Sequence, residues 1–122
     1  MRETVLTLDR TSRAPSQARG CVSVLRDLIG PERTEDATLL VSELVTNAVK
    51  YGPEGESIRL IVEADGRCTR CTVHDLGVGP LPEMRAEDDL APGGHGLRLV
   101  DAVADRWGVE RGSTRVWFEL DR

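Results

Sequence analysis

The chain has 122 residues, the size of one domain, and its 39% hydrophobic share suffices for a modest core. Aromatic residues make up only 3%, so aliphatic side chains must fill that core. A net charge of −5 without any Lys/Arg block excludes a nucleic-acid footprint, and the apolar runs are far too short to span a bilayer. Met1-Arg2-Glu3 does not open a signal peptide, so a cytoplasmic single domain over residues 1–122 is expected. Lys50 is the one lysine among 16 basic residues, a bias that fits genome composition better than function.

In chain order, Val5-Leu6-Thr7-Leu8 reads as a first strand. Ser12 to Gly30 reads as a helix, with Pro15 in its first turn, Val22, Leu25 and Ile29 along one stripe, and Gly30-Pro31 as the stop. A second helix is predicted from Thr34, as N-cap, to Tyr51. Its Ala37, Leu40, Val41, Leu44, Val45 and Ala48 follow the spacing of a core-facing stripe. Ile58, Leu60, Val62 and Ala64 alternate with Arg59, Ile61 and Glu63 as a one-sided strand. Asp65-Gly66 turns the chain, and Cys71 to Asp75 returns as the hairpin partner.

Residues 76–95 carry Gly, Pro and acidic side chains without any period, a length that suits a functional lid or a disordered stretch. A helix follows from Gly96 to about Asp105, and Arg106–Glu110 with Thr114–Leu120 closes the chain as a second hairpin. The order predicts an α+β fold. It is a two-layer α/β sandwich whose mostly antiparallel, mixed sheet is covered on one face by three helices.

The three cysteines are an odd number, which argues against a disulfide scaffold. Cys68, Cys71 and His74 have a C-x-x-C-x-x-H spacing reminiscent of zinc ligands. On a strand, however, Cys71 and Val73 share one face while Thr72 and His74 share the other, so the donors diverge. The spacing is read as structural.

Three motifs carry chemistry. On the second helix, at about 100° per residue, Glu43, Asn47 and Lys50 form a polar stripe beside the apolar one, placing them at a pocket rim. Asp75-x-Gly77-x-Gly79 ends a strand with a carboxylate able to accept the amino hydrogens of a base, next to glycines that admit a ligand close to the backbone. Gly93-Gly94-His95-Gly96-Leu97 opens a helix whose free N–H groups favour phosphate. Each motif is weak alone. In this order they suit a magnesium-nucleotide site with a general base beside it.

With these residues in view, the chain resembles the nucleotide-binding superfamily of gyrase, the heat-shock chaperone ATPase, histidine kinases and MutL. Within it, the chain looks like the single-domain anti-sigma-factor serine kinases. Glu43-Leu-Val-Thr-Asn47-Ala resembles that family's first box, Asp75-Leu-Gly77-Val-Gly79 the second, and Gly94-His-Gly96-Leu97-Arg-Leu-Val100 the third. The closing Val116-Trp117-Phe118-Glu119-Leu120 is also similar.

The resemblance implies a Bergerat-type ATP-binding fold, with ATP and Mg2+ as cofactors and a lid at about residues 80–95. By the same resemblance Glu43 is the general base, Asn47 the Mg2+ ligand, and Asp75 the reader of adenine. Gly77 and Gly79 form the pocket floor, and Gly93, Gly94, His95, Gly96 and Leu97 form the phosphate loop. Lys50, Thr72 and Thr114 line the site.

It further implies a serine protein kinase that phosphorylates an anti-sigma-factor antagonist and sequesters a sigma factor, relatives often being homodimers. The alternative is a non-catalytic ATP-binding module that only sequesters a partner. Two departures stand out. Ser113-Thr114-Arg115 replaces the Gly-Lys-Thr of many relatives, and Tyr51-Gly52 replaces the common His-Gly. A histidine-kinase module fits less well, because His74 lies on a strand and His95 in the lid. A gyrase- or MutL-type ATPase fits less well for want of a following transducer domain.

Overall fold

The computed structural model describes residues 1–51, 57–75, 94–110 and 115–122, and leaves aside the side chains of Tyr51 and of residues 94–96. The elements run β1 (Arg2–Leu8), α1 (Ala14–Val24), α2 (Arg26–Ile29), α3 (Pro31–Tyr51), β2 (Ile58–Ala64), β3 (Cys68–Asp75), α4 (Gly94–Val103), β4 (Arg106–Val109) and β5 (Arg115–Asp121). The five strands form one sheet in the order β1-β2-β3-β5-β4.

Period-two alternation decides which face of the sheet is covered. Ile58, Leu60, Val62 and Ala64 of β2 are buried, as are Cys71 and Val73 of β3 and Val116, Phe118 and Leu120 of β5. Against them lie Ala18 and Val22 of α1, Ile29 of α2, Leu40, Val41, Leu44 and Val45 of α3, and Leu97 and Val100 of α4. Phe118, the largest fully buried side chain, pairs across the sheet with Cys71 on one side and Trp107 on the other. An aliphatic core built around one aromatic residue is what the composition required. The two-layer α+β architecture is as expected.

Several details differ from the sequence reading. All four strand pairings among the described residues are antiparallel, so this sheet is not mixed. β3 and β4 do run parallel, as a crossover through α4 demands, but β5 is inserted between them and no parallel ladder forms there. The helix expected over Ser12–Gly30 is broken at Leu25, whose ψ of 14° ends α1 before α2 begins, so the described residues hold four helical segments rather than three. Val22, Leu25 and Ile29 are all buried in the core on either side of the break.

Helix α3 starts at Pro31, not Thr34. Pro31 suits a first helical position because its missing N–H needs no partner there. Thr34 lies within the first turn, and its hydroxyl donates back to the Gly30 carbonyl at 2.6 Å rather than capping. Gly30 itself has φ +88°, which few other residues adopt, and a Cβ there would lie 2.9 Å from Arg122 Nε. The Asp65-Gly66 turn forms as expected, with Asp65 Oδ1 accepting from the N–H groups of Arg67 and Cys68 at 2.8 and 3.0 Å. β3 consequently begins at Cys68, three residues earlier than the alternation suggested. The expected lid falls on residues outside those described, except for its last two positions, which belong to α4.

The face opposite the helices carries His74 in β3, flanked by Arg59 of β2 and Arg115 of β5. Partial burial, and then the two guanidinium groups, lower the His74 pKa below 6.5, only partly offset by Glu110. The unfolded chain therefore binds a proton at a higher pH than the folded one. Stability is expected to be fully present above pH 6.5 and to fall as pH drops from there through the folded pKa. Urea melts of the wild type and His74→Gln between pH 7.5 and 5 should show a shallower decline in the variant. Equal slopes would remove His74 as the cause.

Candidate nucleotide site

Helix α3 positions the first motif. Burial of Ala37, Leu40, Val41, Leu44 and Val45 fixes its rotation about its own axis. With that rotation set, Glu43 and Asn47 are half-buried at the border of the covered face, one turn apart, and Lys50 is exposed. The Asn47 Nδ2 atom is buried and, among the described residues, has no hydrogen-bond partner. A buried amide donor in that condition is costly unless something accepts from it.

Asp75 ends β3 on the helix side of the sheet and is 6% exposed. Arg10, in the connection after β1, reaches it. The Arg10 guanidinium ion-pairs through Nη2 with Asp75 Oδ1, while its Nη1 donates to the Ala48 carbonyl of α3 at 2.7 Å. One half-buried cation thus bridges the residue next to Asn47 and the carboxylate of the second motif. Burial lowers the Arg10 pKa. The first and second motifs therefore meet at one place.

The third motif forms the start of α4. Its first turn holds Gly94, His95, Gly96 and Leu97, with no acidic residue among them to oppose an anion at the positive helix end. Leu97 is buried in the core, and α4 packs against α3. Gly77, Gly79, Gly93 and Thr114 lie outside the described residues. Thr72 sits on the helix-free face, the opposite side of β3 from Asp75. Cys71 is in the core, whereas Cys68 and His74 are on the other face, and burial holds the Cys71 thiol strongly in its protonated form.

A model of the histidine kinase-like ATPase domain matches residues 9–120. The chain belongs to that family. No curated protein matches it. Among solved structures, it is similar to the RsbU and RsbW domains of Rv1364c from Mycobacterium tuberculosis, at 20% identity with a TM-score of 0.69. That match covers 100% of this chain and 32% of the Mycobacterium protein, so the domain spans about a third of that chain's length. At such identity the likeness shows the shared fold. No helix among the described residues of this ATPase-family domain is long and apolar enough to cross a membrane.

Arg10 is a site residue that sequence reading did not find. It lies in no motif, and a lone arginine after a strand carries no signal until its partner is located. Arg10→Ala would leave the buried Asp75 carboxylate without this cation, and removing one member of a buried pair typically costs about 3–5 kcal/mol. Chemical denaturation of Arg10→Ala should show a loss of that order. A loss below about 1 kcal/mol would mean that the pair is exchanged for water without consequence.

Proposed function

We propose that this domain is an ATP-dependent serine protein kinase of the anti-sigma-factor type, acting in the cytoplasm on an antagonist protein and holding a sigma factor. The observation that carries the reading is the convergence of Asn47, with its buried unpartnered donor, and Asp75 on either side of the Arg10 bridge. Membership of an ATPase-domain family supports ATP as the ligand. The architecture shared with the RsbW-containing chain supports the kinase type.

In this reading the Asp75 carboxylate, ion-paired with Arg10, accepts the amino hydrogens of adenine. The α4 N-terminus at Gly94 to Gly96 gives its amides to phosphate. Asn47 fits a magnesium-phosphate neighbourhood on both ends of its amide. Its Oδ1 is a hard oxygen donor for Mg2+, and the orphaned Nδ2 matches a phosphate oxygen. When bound, Mg2+ would neutralise charge on the phosphate oxygens. Glu43, one turn before Asn47 on the same stripe, accepts the proton of the attacking serine hydroxyl and orients it. Lys50 is exposed one turn further and supplies positive charge at the rim.

Since positioning and charge stabilisation dominate phosphoryl transfer, Glu43→Ala is expected to bind ATP within a few-fold of wild type. Its phosphate transfer from labelled ATP to the antagonist's serine should fall by about a hundredfold or more. Unimpaired transfer would remove Glu43 as the base. A tight nucleotide-dependent complex without any label on the antagonist, for the wild type, would favour the alternative of a sequestering module.

A further inference from the structure

Arg10 has more donors than its bridge uses. Its Nη1 donates to the Ala48 carbonyl at 2.7 Å, and its Nη2 is ion-paired with Asp75 Oδ1. The Nε atom takes no part in either contact. It is shielded from solvent and has no hydrogen-bond acceptor among the described residues. An N–H of a charged group that gives up water without gaining a partner is costly, so this donor calls for an acceptor that a ligand can bring.

The place of that donor is tightly set. A guanidinium is planar and its N–H bonds form a rigid fork, in which Nε–H and one Nη2–H share an edge. Contacts to Ala48 in one layer and Asp75 in the other hold the fork at two points. The side chains of Arg10 and Asp75 are only 16% and 8% exposed. The open Nε–H therefore lies next to the nitrogen that holds the Asp75 carboxylate. Donor and acceptor stand side by side.

In the nucleotide reading, on which this inference rests, Asp75 accepts the amino hydrogens of adenine. Beside that amino group adenine carries a ring nitrogen on each side, N1 and N7, and both are acceptors. A carboxylate with an N–H at its flank is the complement of such an edge, and Asp75 alone matches only half of it. We propose that Arg10 is a second base-reading residue, which donates its Nε–H to the ring nitrogen next to the adenine amino group. Arg10 then joins α3, β3 and the base through three different nitrogens.

Two other acceptors fit a lone N–H, water and a phosphate oxygen. The phosphates are assigned to Asn47 and the start of α4, whereas the Nε edge adjoins the nitrogen on Asp75. The base is thus the part of the nucleotide that this donor meets. The pairing also gives a basis for selectivity. Hypoxanthine and guanine carry a carbonyl where adenine has its amino group, which sets oxygen against the Asp75 carboxylate. On the N1 side they also turn the ring nitrogen into a donor, which opposes Arg10. A site that reads two neighbouring groups rejects such bases more strongly than one that reads a single group.

Calorimetric titration of the full chain with the magnesium complexes of ATP, 1-deaza-ATP and 7-deaza-ATP tests the proposal, each analogue replacing one ring nitrogen by C–H. The wild type should lose about tenfold or more in affinity for one analogue and little for the other. Arg10→Lys keeps a cation for Asp75 but has no Nε–H. It should bind ATP about tenfold or more weakly, with no further loss for the analogue that the wild type rejects. A role confined to holding the fold would weaken all three nucleotides alike and leave their ratios unchanged. The Arg10 Nε–H resonance of 15N-labelled wild type gives a second reading that needs no variant. It should move downfield with Mg-ATP and stay near its free position with the rejected analogue. A wild type that binds all three nucleotides equally, an Arg10→Lys variant that keeps the wild-type ratios, or an Nε–H resonance unmoved by ATP would each overturn the proposal while leaving ATP at Asp75 standing. A wild type that binds no ATP would overturn the nucleotide reading, and this proposal with it.

Discussion

The rotation of α3 about its axis is the constraint on which the candidate site depends. Five buried aliphatic positions, Ala37, Leu40, Val41, Leu44 and Val45, lock one side of that helix onto the sheet. A turn of even one residue spacing, about 100°, would expose part of that stripe. Glu43 and Asn47 are therefore held at the edge of the core by packing they take little part in. A polar pair placed in this way loses water without losing access, which is the condition in which carboxylates and amides act on a ligand.

The Arg10 bridge adds a second constraint at the same place. Helix α3 and the end of β3 belong to different layers, and hydrophobic contact alone specifies their spacing only loosely. A guanidinium with one donor on the Ala48 carbonyl and another on Asp75 ties the two layers by directional bonds. Such buried ion pairs are weak evidence for net stability, because desolvation offsets the attraction. Their value here is positional. At the opposite end of the sheet Arg33 plays a comparable part, linking Asp105 and the Asp121 carbonyl to the start of α3 at 2.8 and 2.7 Å.

The strands and the α3 stripe were legible in the sequence because single-sided burial imposes period two on a sheet and 3.6 on a helix, and both patterns run long enough here to read. The break at Leu25 was not legible, since Val22, Leu25 and Ile29 keep the spacing of one continuous helical stripe and no Gly or Pro stands at the interruption. The start of α3 could have been read from Pro31, which the stop signal of Gly30-Pro31 obscured. The exclusion of parallel pairing depends on β5 entering between β3 and β4, which strand order alone decides. Of the site, Glu43, Asn47 and Asp75 were accessible through spacing and resemblance. Thr72 was mistaken because its neighbour Asp75 lies an odd number of residues away, hence on the opposite face.

The central proposal is that nucleotide binds at Asn47, Asp75 and the start of α4. Titration of 15N-labelled protein with Mg-ATP, followed by NMR, tests it most directly. The Asn47 side-chain amide and the backbone amides of Gly94 to Leu97 are predicted to shift most, saturably and together. Perturbations confined to the helix-free face around Ile61 and Trp117, or none at millimolar Mg-ATP, would contradict it.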